Sequence, residues 1–383
     1  MSSWKYSCER TGPGTLAGRY LRQFWQPIHA VEDIAPGRCK PVRVMGEDCT
    51  LYRGESGKPY LVAQRCAHRG TQLSIGHVNG EEISCFYHGW RYTGDGQCTA
   101  QPGELDRPFA DRVKIRAHPA RAYHGLIFAY LGPGEAPEFP IFPELEGDGV
   151  IEARTYHRKC NLTNFLDNQL DEVHVGFTHP VGYARLPEIP TFRISRTDFT
   201  AVTHCSRPGR VDRITEFLMP NIMRFKSTSQ FEGANWASSV AWRVPEDDTA
   251  THSYLISLYD TTEEGKEKFI ARQEELWALP VPNVADYAGR ILAGELTYDE
   301  ALEEMGEHDR RYDVTLQDHL AMQGQTLVAD RDAEILGQAD AGVAAVRDLW
   351  NEQLADFEQH GKRRVWVQPP PTVVTAGEDR QKT

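Results

Sequence analysis

No apolar run in the 383-residue chain approaches the ~20 residues that a bilayer-spanning helix needs, so no membrane span is expected. Positive charge is in deficit as well. Lys+Arg total 42 against 55 for Asp+Glu, a net charge of -13, and no basic cluster offsets it locally, which disfavours a nucleic-acid surface. No Gly-x-Gly-x-x-Gly opens a helix after a strand, so neither a flavin nor a nicotinamide site is expected. Cysteine is too sparse, at 8 residues, for a disulfide scaffold. Residues 1–22 alternate polar and aromatic side chains and do not read as a signal peptide. The expectation is a soluble cytoplasmic protein with reduced thiols.

What is present points to two domains of α+β class. Hydrophobic residues make up 40% and charged residues 25%, the balance of a globular protein, and the length favours two units. From Phe24 to about Leu131, short apolar runs are punctuated by turn residues: Pro41–Val44, Thr50–Tyr52, Tyr60–Ala63 and Leu126–Tyr130 read as strands of a small antiparallel β-domain. Pro133, Pro137, Pro140 and Pro143 interrupt regular structure, which places the boundary near 145 and divides the chain into 1–145 and 146–383. In the second unit, 161–178, 262–279 and 315–360 read as helices, and 199–259 reads as long antiparallel strands. The stretch Gln368 to Thr383, which carries Pro369-Pro370-Pro371, reads as an extended or frayed tail.

Six of the cysteines stand alone; Cys66 and Cys85 each lie close to a histidine. Cys66-Ala67-His68 is followed, after sixteen residues, by Cys85-Phe86-Tyr87-His88. Two thiolates and two imidazoles can hold tetrahedral zinc. Zinc fingers, however, pair like with like on each limb, whereas both limbs here are mixed. Mixed limbs suit a two-iron centre in which two Cys hold one iron and two His the other. Gly70 and Gly89-Trp90 would allow tight turns and a cover over such a centre.

The second constellation lies between Asn168 and His179. Asn168, Asp171 and His174 are three apart and share one helix face. His174 and His179 stand about 140° apart on an ideal helix, too wide for one metal, so the helix should loosen or end between them, where Gly176 and Pro180 suit a break. Paired histidines in a helical stretch are more often structural than ligating. With one carboxylate added they form the two-His-one-carboxylate site of non-haem Fe(II) oxygenases.

Cys66-Ala67-His68-Arg69-Gly70 and Cys85-Phe86-Tyr87-His88-Gly89-Trp90, with the Gly94-Asp95-Gly96 turn, resemble the cluster loops of Rieske proteins. Asn168-x-x-Asp171-x-x-His174-x4-His179 resembles the iron segment of the Rieske non-haem iron oxygenases, and the late segment Gln317-Asp318-His319 is similar to that of their phthalate-dioxygenase-like branch, which includes 5,5'-dehydrodivanillate O-demethylase. The resemblance runs from Phe24 to Trp350. It implies a Rieske 2Fe-2S cluster on Cys66, His68, Cys85 and His88, and a mononuclear Fe(II) on His174, His179 and Asp318. Asp313 is the alternative third ligand, and a helix-capping role for Asp318 is the structural one. The fold implied is an all-β Rieske domain followed by a helix-grip catalytic domain. In such enzymes Asp171, with Asn168 beside it, would carry electrons from a neighbouring subunit's cluster within a homotrimer.

The function implied is that of a terminal oxygenase, fed with NAD(P)H-derived electrons by a ferredoxin or its reductase and using O2 to O-demethylate or hydroxylate a small aromatic acid. A cis-dihydroxylating ring dioxygenase is the alternative. An electron-transfer or binding protein carrying the cluster alone, and a zinc-stabilised structural protein, are the readings from other classes. With so acidic a chain, an anionic substrate requires a local cation; Arg193, Arg213 and Arg224 are candidates that the sequence does not rank.

Overall fold

The computed structural model describes residues 3–106, 109–179, 189–207, 211–228, 234–277, 279, 282–306, 312–361 and 366–372. Its amino-terminal half is built from three small antiparallel sheets. One joins Trp25–Ala30, Leu126–Tyr130 and Ala120–Tyr123; a second joins Cys39–Val44, Glu47–Arg53, Pro59–Ala63 and Ala117–His118; the third joins His77–Asn79, Glu82–Ser84, Arg91–Tyr92 and Cys98–Ala100. The hairpin expected near residue 45 closes with Val44 opposite Glu47, so the turn is Met45-Gly46. Both turn residues have positive φ, 49° and 73°, the geometry whose twist matches the flanking strands. Main-chain N–H groups of Met45 and Gly46 donate to the carbonyls of Pro245 and Glu246, tying this hairpin to the second half.

That second half is a seven-stranded antiparallel sheet, in the order Val150–Arg158, Thr251–Thr261, Ala234–Pro245, Ile222–Thr228, Arg213–Leu218, Thr200–Ser206, Thr191–Arg196. The helix Ala341–His360 packs on the last two strands through an apolar stripe that includes Val343, Val346, Leu349, Trp350 and Leu354. On its other side lie Trp4 and Tyr20, whose rings meet Trp350 edge-on. One hydrophobic core therefore runs from Tyr20, Phe24 and Phe128 to Phe217, Trp242 and Trp350. The proline-rich passage divides the secondary structure near 145, but not the core.

Three helical expectations change. The stretch 161–178 is two helices, Leu162–Gln169 and His174–Thr178, parted at Leu170. The long helix packs against this break at Gly342: a Cβ there would stand 2.0 Å from the Leu170 carbonyl, so only glycine lets it approach so closely. The stretch 315–360 is the helix Asp313–Gln323 and the long helix, with 324–337 irregular between them. Two helices that were not expected, Val284–Leu292 and Tyr298–Met305, pack with Asp313–Gln323 into a separate small core around Leu316. The Thr297/Glu300 capping box that starts the second of them is a readable sequence signal. The tail reading holds an unequal place: Trp366 and Gln368 bond the carbonyls of Met219 and Phe139, while 373–383 lies outside the described residues, as does Pro180.

Candidate metal centres

The two Cys/His loops are near copies of one another. In each, the N–H of the glycine four residues after the cysteine, Gly70 or Gly89, donates to that cysteine's carbonyl at 3.0 Å. Both glycines have positive φ, 74° and 69°, which a side-chain-bearing residue adopts only under strain. The turns bring the limbs together: the rings of His68 and His88 meet edge-on with centroids 4.6 Å apart, and Trp90 stacks on His68 at 4.7 Å, nearly parallel. The thiols are buried and the imidazoles exposed. That split suits a cluster with its sulfur-held iron inside and its imidazole-held iron at the surface. The Tyr92 hydroxyl lies 3.1 Å from Cys66 Sγ and accepts from the Ala67 N–H at 3.2 Å, which leaves its own proton for the sulfur. Burial pushes the Cys66 thiol up, so holding the thiolate there requires such a donor and a nearby cation.

The second centre forms where the broken helix meets Asp313–Gln323. Nε2 of His179 lies 3.2 Å, and Nε2 of His174 3.8 Å, from Oδ1 of Asp318. Each histidine is locked through its other nitrogen: His174 Nδ1 donates to the Asp171 carbonyl at 2.5 Å, and His179 Nδ1 to Gln317 Oε1 at 2.8 Å. The Gln317 amide donates from Nε2 to Tyr298 and Asp313, so its oxygen must face the histidine. Both Nε2 lone pairs then point toward the carboxylate. Asp318 Oδ1 is buried and accepts no hydrogen bond of good geometry. A buried carboxylate oxygen facing two imidazole nitrogens is a donor set that could hold a metal ion, of the kind found in two-His-one-carboxylate iron sites.

The electrostatics agree. Burial lowers His174, and the nearby carboxylates only partly offset it. Burial acts in the same sense on His179, but Asp318 and Gln317 outweigh it and hold the ring above its usual value. Burial would raise Asp318, yet His179, Arg158 and His174 together keep its carboxyl below the usual range.

Other sequence candidates fall into place around these. Asp313 hydrogen-bonds Tyr298 and Gln317, behind His179, and does not face the histidines. Asn168 Nδ2 is 3.4 Å from His174 Nε2. The Asp171 main-chain oxygen, rather than its carboxylate, holds His174; Oδ1 accepts the N–H groups of Val173 and His174 and starts the short helix, while Oδ2 stands 3.8 Å from Nδ1. Arg224 is spent in a buried ion pair with Glu216 at 2.8 Å, Arg213 donates to Thr215, and Arg193 lies exposed on the sheet-edge strand. Tyr298 and Arg158 escaped the sequence reading altogether, and Gln317 entered it only as a neighbour of Asp318 with no role of its own. A further donor group, Glu47, Cys49 and His118, has Arg116 2.8 Å and Arg22 3.7 Å from Glu47, and these guanidinium charges take the place of a cation.

Comparison with known proteins separates fold from domain identity. Residues 24–110 match the family described as Rieske [2Fe-2S] domain. The chain is a relative of the Rieske oxygenase subunits. It is 29% identical over 371 residues to the 5,5'-dehydrodivanillate O-demethylase oxygenase subunit of Sphingobium sp. (strain NBRC 103272 / SYK-6), covering 91% of this chain and 78% of that protein. It is likewise 29% identical over 380 residues to the phenoxybenzoate dioxygenase subunit alpha of Ectopseudomonas oleovorans, covering 91% and 84%. Among solved structures, Pseudomonas putida CBB5 NdmA with caffeine superposes with a TM-score of 0.67 at 19% identity, covering 89% of this chain and 92% of that one. The reduced complex between oxygenase and ferredoxin in carbazole 1,9a-dioxygenase gives 0.60 at 19%, covering 90% and 93%. These likenesses carry the α+β fold, a Rieske β-domain followed by an antiparallel sheet with helices. Among the described residues no helix is long and apolar enough to cross a membrane.

Proposed function

We propose that this chain is the terminal oxygenase component of a multicomponent Rieske system, O-demethylating or hydroxylating a small aromatic acid. The observation that carries the reading is the convergence of His174, His179 and Asp318, with an unsatisfied buried oxygen, in the same chain as the two Cys/His loops. A cluster-only electron carrier has no use for that second centre. When bound, the two-iron cluster supplies single electrons and the mononuclear iron a place to activate O2.

The chain's own groups do the rest. Cys66, His68, Cys85 and His88 hold the cluster, with Trp90 covering one imidazole. Gln317 and the Asp171 carbonyl hold both Nδ1 protons, so that Nε2 of each iron histidine stays available. Asp171 Oδ2 is partly exposed beside His174, which supports a role in accepting an N–H from His88 of a neighbouring copy in a homotrimer. No flavin or nicotinamide motif is present, so electrons arrive from a ferredoxin or a reductase that uses NAD(P)H. A cytoplasmic location fits a chain in which none of the eight cysteines is disulfide-bonded.

The O-demethylase and dioxygenase relatives are equally similar, so both reactions on an aromatic carboxylate stay in view. Turnover of methoxy-aromatic acids releasing formaldehyde supports the first; a cis-diol without formaldehyde supports the second. Replacing His68 or His88 should abolish the cluster's visible spectrum, whereas replacing His174 or His179 should leave that spectrum and remove turnover. Stoichiometric zinc without labile sulfide would refute the whole assignment.

A further inference from the structure

Asp318 has two oxygens in different company. Oδ1 faces the histidines and is otherwise unsatisfied; Oδ2 lies 3.3 Å from a terminal nitrogen of Arg158. The guanidinium is buried and held on several sides. Its other terminal nitrogen donates to the Thr315 carbonyl at 3.3 Å, one turn before Asp318 on the same helix. Its carbon lies 5.0 Å from the Tyr156 ring and 4.9 Å from that of Phe165. Arg158 ends the sheet-edge strand Val150–Arg158, where it pairs with Thr251, so its backbone is anchored as well.

We propose that Arg158 is a positioning residue: by holding Oδ2 it makes Asp318 a one-oxygen ligand, keeping for dioxygen and substrate a coordination position that a chelating carboxylate would fill. The proposal rests on the iron-site reading above. Geometry favours it over a plain charge-neutralising pair. A pair serving only to neutralise Arg158 would leave either carboxylate oxygen to any partner, whereas here the oxygens are divided, one to the cation side chain and one to the imidazole nitrogens. The neighbouring Arg243 is held by Gln169 and Ser253 and does not compete for the carboxylate. A charge-assisted bond in so buried a place is strong enough to hold rotation about the last side-chain torsion.

The test is the iron coordination shell of the full-length, iron-loaded protein, read by crystallography or iron X-ray absorption, in wild type, Arg158→Gln and Arg158→Lys. The wild type should show a single Asp318 oxygen on iron. Arg158→Gln should let Oδ2 swing in, with Fe(II) affinity unchanged or tighter while turnover falls by about 10- to 100-fold. Arg158→Lys, which keeps the charge, should restore one-oxygen binding in part and covers the case in which the glutamine variant fails to fold. A two-oxygen wild-type carboxylate, or a folded glutamine variant still bound through one oxygen, would overturn the proposal. A merely structural arginine would lose affinity and turnover together. Iron absent from His174, His179 and Asp318 in the wild type would instead overturn the site reading itself.

Discussion

Replacing Gln317 with leucine removes the acceptor of His179 Nδ1, a 2.8 Å hydrogen bond between groups that are both buried. Before metal binds, His179 can move its proton to Nε2 and give it to Asp318, 3.2 Å away, so the apo variant loses little. Metal binding forbids that escape, because Nε2 must present its lone pair and the proton returns to Nδ1, now without a partner. An unsatisfied buried donor costs about 1–3 kcal/mol. At about 1.4 kcal/mol per decade, Fe(II) affinity should weaken about 5- to 150-fold. Asp313 and Tyr298 remain bonded to each other, so the damage stays local. The assay is Fe(II) competition against a chelator, with the cluster spectrum and thermal midpoint as controls. If folded Gln317→Leu binds Fe(II) as tightly as wild type, the tautomer argument is wrong.

Two other outcomes are expected. In Asp171→Asn the side-chain oxygen can still accept from Val173 and His174, so the short helix and both metal centres should survive, while loss of the charge should slow reoxidation of the reduced cluster in single turnover with substrate; near-normal reoxidation would reject an electron-transfer role. His252 is pushed down to about 4, by burial first and His157 second. The unfolded chain therefore takes up a proton that the folded one refuses between pH ~6.5 and ~4; stability from this group is intact above that window and falls through it by on the order of 3 kcal/mol. His252→Gln should flatten the acid limb in urea titrations, and an unchanged limb would count against burial as its cause.

The cluster site was legible because its determinants are local. Thiolates, imidazoles and the glycines that turn each loop lie within six residues of one another, and positive φ at Gly70 and Gly89 is a property of those positions alone. The same holds for the iron histidines, which share a segment. The carboxylate was another matter: Asp313 and Asp318 sit on one helix, roughly 140° apart, and only the resemblance of the Gln317-Asp318-His319 segment ranked Asp318 first. Packing turns Asp318 toward the histidines and Asp313 toward Tyr298, a difference that the sequence does not show. The close approach of the long helix to the Leu170 carbonyl likewise needs Gly342, far along the chain. Gln317 reaches His179 across 138 residues of sequence and Arg158 reaches Asp318 across 160. A hydrogen bond or ion pair has no sequence period of its own, so contacts at such separations come into being only when the sheet and its helices close on one another.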